Sequence, residues 1–187
     1  MLASGPALQS LSEPPRVSVV MTADDKSVEV AAVRLLARRE HGVEELKRKL
    51  AAKGHDADAV ERVVEALSAK RLVSDERFVT GFVHHHAKRG QGPVRIRAEL
   101  RQQRIADDAI EQALGSAEIE WSELAADVRR RKFGSQRPRS AAERAKQSRF
   151  LQYRGFSADQ IRAALIDEGE GSAASDELDA SDPGWLD

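Results

Sequence analysis

Three consecutive histidines, His84, His85 and His86, open the stretch HHHAKRGQGPVRIRAELRQQRI, and six Lys/Arg residues follow with Glu99 as the single acid. Such a run can hold a metal, bind an anion or simply solvate one helix of a scaffold. Adjacent residues on a helix point about 100° apart, so three consecutive imidazoles cannot converge on one ion. A helical metal site needs ligands at i and i+3 or i+4, and Glu99 lies beyond the Gly90–Gly92 break. The histidines read as a partly exposed helix end.

The arginines carry more. On a helix opened by Pro93, Ile96 and Leu100 form an apolar stripe at i and i+4, and Arg97, Arg101 and Arg104 form a parallel basic stripe. Arg95 and Glu99 fall elsewhere on the wheel, and Lys88 and Arg89 precede the loop. A second cluster runs through Arg129, Arg130, Arg131, Lys132, Arg137, Arg139, Arg144, Lys146 and Arg149, against Glu143 alone. Clusters of this kind bind phosphates or acidic protein surfaces, with an affinity that salt weakens. The alternative for each is an ordinary solvated helix face. No nucleophile elbow, P-loop, HExxH or paired-carboxylate spacing stands out. Aromatic residues are sparse, and their helical spacing reads as core rather than as base-stacking platforms. The sequence gives no sign of an enzyme, a cofactor or a metal.

The elements that position these groups are helices. The 187 residues contain no cysteine, which excludes a disulfide framework and thiolate chemistry. The N-terminus lacks a basic region followed by an apolar run, and no apolar run approaches the roughly 20 residues of a membrane span. A cytoplasmic location follows as the expectation. The net charge of −1 conceals an asymmetry, because residues 167–187 hold eight acids and no Lys or Arg, leaving +7 for residues 1–166. A basic body with an acidic tail suggests a polyanionic partner.

Three windows repeat: LAAKGHDADAVERVVEAL from Leu50, LRQQRIADDAIEQAL from Leu100 and LQYRGFSADQIRAAL from Leu151, at offsets of 50 and 51. They share a Leu at the start, then His55, Ile105 and Phe156, then Asp58, Asp108 and Asp159, then Val60, Ile110 and Ile161, then Val64, Leu114 and Leu165. The spacing predicts a helix end, a buried residue, and a new helix with an acid in its first turn. Asp56 and Ser157 suit the N-cap, Ser157 with Gln160 as a capping box, whereas Ala106 does not. A further helix precedes each window, over 28–39, 75–88 and 121–132. The expected fold is all-α, a tandem array of three three-helix repeats forming an elongated, curved molecule with shared cores. Its expected divisions are a disordered 1–26, repeats at 27–74, 75–118 and 119–166, and a disordered acidic tail at 167–187. Met21 offers an alternative start.

Several motifs in order resemble the RecX family of RecA regulators: RREH (Arg38–His41), LxxKG (Leu50–Gly54), SDERF (Ser74–Phe78), RGQGPVRIRAEL (Arg89–Leu100), RKFG (Arg131–Gly134) and RFLQYRGFS (Arg149–Ser157). The resemblance covers about Ala31 to Leu165. It implies a non-enzymatic monomer that binds the groove of the RecA–single-stranded DNA filament and mostly inhibits ATPase, strand exchange and co-protease activity. A stand-alone DNA-binding protein is the alternative. By this resemblance Phe78, Ile96, Leu100, Phe133, Leu151 and Phe156 match core positions, and Arg38, Arg39, Arg77, Arg95, Arg149 and Arg154 match polar positions that could face the filament. The expected contact set is Lys88, Arg89, Arg95, Arg97, Arg101, Arg104, Arg129, Arg130, Arg131, Lys132, Arg149 and Arg154. The triple histidine departs from the family pattern.

Overall fold

The computed structural model describes residues 22–166; expectations for residues 1–21 and for the acidic tail lie outside the described residues. Among the described residues nine helices and no strand form three successive three-helix units. The first unit holds α1 (Ala23–Leu36), α2 (Val43–Ala51) and α3 (Ala57–Ala69). The second holds α4 (Asp75–Lys88), α5 (Pro93–Gln102) and α6 (Asp107–Ser116). The third holds α7 (Trp121–Phe133), α8 (Ala141–Arg154) and α9 (Ala158–Leu165).

The repeat follows from local chemistry. The shared leucines, Leu50, Leu100 and Leu151, are fully buried. The chain then turns through left-handed backbone at Gly54, Arg104 and Gly155. Asp56 and Ser157 cap α3 and α9, accepting hydrogen bonds from the amides of Ala59 and Gln160. Ala106 provides no side-chain cap for α6. Such a cap contributes about 1 kcal/mol.

Two expectations change. First, α1 begins at Ala23, earlier than the expected boundary at residue 26. Thr22 and Asp25 form a reciprocal capping box there, and Asp25 is buried against Arg62 at 2.8 Å. The amide of Thr22 holds the Asp25 carboxyl below its usual range; burial opposes this, and Arg62 reinforces it. Second, the core is not shared. Leu46, Leu50, Val60 and Val64 anchor the first cluster, Ile96, Leu100 and Ile110 the second, and Ala125, Leu151 and Phe156 the third. Trp121, at the start of α7, packs against the second cluster.

Polar groups and backbone join the units at the seams, beside contacts from Phe78, Val128 and Trp121. Both Gly42 and Gly92 are N-caps without a side chain, at the starts of α2 and α5. The missing cap comes from the next unit in each case. At the first seam Val43 N–H donates to Asp75 Oδ1 at 2.8 Å. At the second, Gly92 N–H donates to the Arg154 carbonyl at 2.9 Å and Val94 N–H to the Gly155 carbonyl at 3.0 Å. Orphan amides at one helix start thus meet orphan carbonyls at another helix end. The third unit has no successor among the described residues, and α8 is capped by its own Ser140, which accepts from the Glu143 amide at 3.1 Å.

Candidate functional site

Arg97 and Arg101 lie on α5 as the spacing predicts, but Arg104 falls beyond the helix end on left-handed backbone, and the two helical guanidinium groups are already paired within the unit. Arg97 donates twice to Glu111, at 2.5 and 2.8 Å, and Arg101 Nε donates to Asp107 Oδ1 at 2.7 Å. Both acids belong to α6, which folds back along α5. Arg104 remains well exposed, 3.8 Å from Glu44 of the first unit. Arg95 donates to Glu99 at 2.7 Å.

The histidines also gain a tertiary context that their helix alone does not reveal. His84 and His85 are exposed. His86 Nδ1 faces Glu99 Oε2 at 3.3 Å and the side-chain oxygen of Gln91. The sequence break before Glu99 had placed that acid out of reach; the α4–α5 turn brings it back. Both neighbours are acceptors, which a proton on Nδ1 would satisfy. The His86 ring also stacks on Phe82 with centroids 3.8 Å apart. Among the described residues no group of three or more His, Cys, Asp or Glu side chains could hold a metal ion.

In the third unit, Arg129 corrects the expected contact set. It is only 5% exposed, so its guanidinium cannot meet a partner in this state. Its Nη1 donates to the Gln136 carbonyl at 3.1 Å, while Nε has no partner. Burial depresses its pKa, and the nearby Arg130 and Arg137 charges add to that. Gln147 stands where the other units have Leu46 and Ile96, and its Oε1 is likewise buried without a partner. The third unit thus buries two polar side chains, each with an atom left without a partner.

The remaining cations lie outside. Arg130 pairs with Asp127. Arg131, Lys132, Lys146 and Arg149 are exposed and pair with no carboxylate among the described residues. Across the second seam, Lys88 and Arg89 are also exposed. Arg154 Nη1 donates to the Arg89 carbonyl at 3.1 Å, and its guanidinium lies 5.3 Å from the Phe150 ring centroid. Charge is unevenly shared among the units. Residues 119–166 carry eleven Lys/Arg against five Asp/Glu, 75–118 seven against seven, and 27–74 ten against eight. The third unit is the basic one, and its basic groups are the less neutralised.

One residue escapes the sequence reading. Tyr153 is 79% exposed, not core. Its signal is present on the helical wheel: Leu151, two residues earlier, is fully buried, which turns Tyr153 roughly 200° away from the core. Lys146, Arg149 and Tyr153 share one face of α8 at i, i+3 and i+7. Phe133 and Phe150, by contrast, pack edge to face with centroids 5.3 Å apart.

A further polar cluster lies at the first seam. Glu45, buried, accepts from Arg39 at 2.5 and 3.0 Å, faces His41 Nδ1 at 3.0 Å and lies 3.1 Å from Lys49. Burial pushes the Glu45 carboxyl up, but hydrogen bonds from Arg39, His41 and Lys49, and the charge of Arg39, hold it down at about 2. Arg77 of α4 donates to Glu40 at 3.0 Å, and Arg48 donates to Gln103 at 2.7 Å. No helix of the described residues is long and apolar enough to cross a membrane.

Comparison with known proteins gives a consistent result. Models of the first, second and third three-helix domains of RecX match residues 30–67, 74–114 and 118–165. Regulatory protein RecX of Halorhodospira halophila is 47% identical over 161 residues, covering 86% of this chain and 96% of that protein. Regulatory protein RecX of Pseudomonas fluorescens Pf-5 is 43% identical over 143 residues, covering 76% and 92%. The crystal structure of RecX from Lactobacillus salivarius shares the fold, with a TM-score of 0.65, 20% identity and coverage of 76% of this chain and 94% of that one.

Proposed function

The chain belongs to the RecX family, and on that premise we propose that it regulates RecA by binding in the groove of the RecA–single-stranded DNA filament. It acts there as a cytoplasmic monomer and mostly inhibits, slowing ATP hydrolysis, strand exchange and co-protease activity without chemistry of its own. Relatives named as regulatory proteins support a role of this kind. The observation that carries the contact assignment is the basic third unit with its unpaired Arg131, Lys132, Lys146 and Arg149. Lys88, Arg89 and Arg154 extend that surface across the second seam. Arg95, Arg97, Arg101, Arg104 and Arg130 contribute less net attraction, since a carboxylate stands beside each.

Regulation by binding alone requires only that one filament state is held better than another, which shifts the equilibrium between them. The deciding experiment is the DNA-dependent ATPase of RecA with and without this protein. A concentration-dependent fall supports the reading; an unchanged rate at saturating protein rejects it. The second reading, a DNA-binding protein that acts without RecA, is favoured by the same unpaired cations. Bare and RecA-coated single-stranded DNA, compared at one physiological salt concentration, separate the two.

A further inference from the structure

We propose that Tyr153 is a base-stacking platform, and that with Lys146 and Arg149 along α8 and Arg95 across the second seam it takes a short segment of single-stranded nucleic acid. The inference rests on the filament-binding reading and names which chemical component of that filament this face meets. Phosphates lie on the cations, and an unstacked base lies on the phenol ring.

The face is built from observations of several kinds. Tyr153 is the only tyrosine in the chain, and it is 79% exposed on a helix that buries only Gln147 and Leu151. An exposed ring keeps its π-face open to a stacking partner. Its helix neighbours at i−4 and i−7, Arg149 and Lys146, are exposed and unpaired among the described residues. The backbone beneath the ring is held in place, because the end of α8 is joined to the start of α5 by the Gly92–Arg154 and Val94–Gly155 hydrogen bonds. The same junction brings Arg95 beside Tyr153. Glu99 raises the Arg95 pKa most, partial burial opposes this, and Tyr153 adds to the rise.

An acidic protein surface satisfies the cations and buries a tyrosine as readily, but gives no preference for a base-bearing strand over an abasic one. A duplex would offer phosphates but no free base face. Single-stranded nucleic acid supplies both, since every base has a π-face and aromatic stacking tolerates any sequence. Both requirements are met within two turns of one helix, a length that suits one or two nucleotides rather than a long track.

The test uses the full chain and two fluorescein-labelled probes of equal length, oligo-dT and an abasic strand with the same phosphates. Wild type binds oligo-dT more tightly than the abasic strand. Tyr153→Ala weakens oligo-dT binding about tenfold and leaves the abasic strand unaffected, so that the two probes become equivalent. Tyr153→Phe retains the preference, because stacking needs the ring and not the hydroxyl. Unchanged oligo-dT affinity in Tyr153→Ala, or equal losses on both probes, overturns the proposal. Intact oligo-dT binding together with weakened binding to RecA-coated DNA overturns it too, and shows that the face takes protein instead. The RecA ATPase assay with wild type is read separately, so loss of the regulatory reading and loss of the stacking site are distinguishable. Far-ultraviolet circular dichroism on each variant confirms that this exposed position leaves the helices intact.

Discussion

Gly92 and Gly155 face each other backbone to backbone across the second seam. A methyl group on Gly92 would sit 2.4 Å from the Gly155 carbonyl oxygen and 2.6 Å from the Phe156 amide nitrogen. One on Gly155 would sit 2.2 Å from the Arg95 Cβ, at a φ of +88° that L side chains rarely adopt. Backbone cannot swing aside as a flexible side chain can. Gly92→Ala is therefore expected to separate the second and third units and to cost about 2–3 kcal/mol. Urea unfolding in a Trp185→Phe background, followed by Trp121 fluorescence, which reports the seam, and by circular dichroism, which reports all helices, should lose its coincidence in the variant. Coincident, unshifted transitions would show that the seam tolerates the methyl.

The Glu45 cluster makes stability acid-sensitive. Its folded pKa of about 2 lies below the ordinary 4.5, so its contribution is fully present above that ordinary value. It is lost as pH falls towards 2. Glu45→Gln is expected to lose about 2–3 kcal/mol at pH 7, and its deficit relative to wild type should shrink between pH 4.5 and pH 2. Paired urea titrations across that range measure the convergence; a deficit independent of pH would assign the effect to packing alone.

Unpaired cations should dominate the salt dependence of DNA binding. Lys146→Ala with Arg149→Ala is expected to reduce the slope of log affinity against log salt by about 1.4, if both meet phosphates of a single strand. Arg97→Ala with Arg101→Ala removes two cations whose charges Glu111 and Asp107 already offset. That pair should change the slope by less than half as much. Equal slopes for the two double variants would refute the ranking.

Removing residues 167–187 takes away eight acids and no Lys or Arg. Truncation after Ile166 is expected to tighten binding to single-stranded DNA several-fold at low salt, with the gain fading as salt screens the tail's repulsion. Weaker binding by the truncated chain would mean that the tail supplies contacts of its own.

Much of the fold is legible in the sequence because it is local. The leucines at 50, 100 and 151, the Asp in each following first turn and the Asp56 and Ser157 caps all express themselves within one turn of helix. The misses are tertiary. Arg97 finds Glu111 and His86 finds Glu99 on neighbouring helices, which a single helical wheel does not contain. Arg129 sits in a run of four cations, a pattern that suggests solvent, yet the wheel that buries Ala125 and Val128 carries it inward too. Gly42 and Gly92 look like ordinary breaks; that each leaves room for a cap from the next unit shows only in three dimensions.

Those borrowed caps give the molecule a direction in time. A ribosome releases the N-terminus first, and domains fold as they emerge. The start of α2 lacks its partner until Asp75, 32 residues downstream of Val43, has been made. The start of α5 waits for Arg154 and Gly155. Each of the first two units is thus finished by its successor, and Ser140 closes the start of α8 in the third unit from within. A nascent chain stalled between units would present a helix start whose amides still lack their partner.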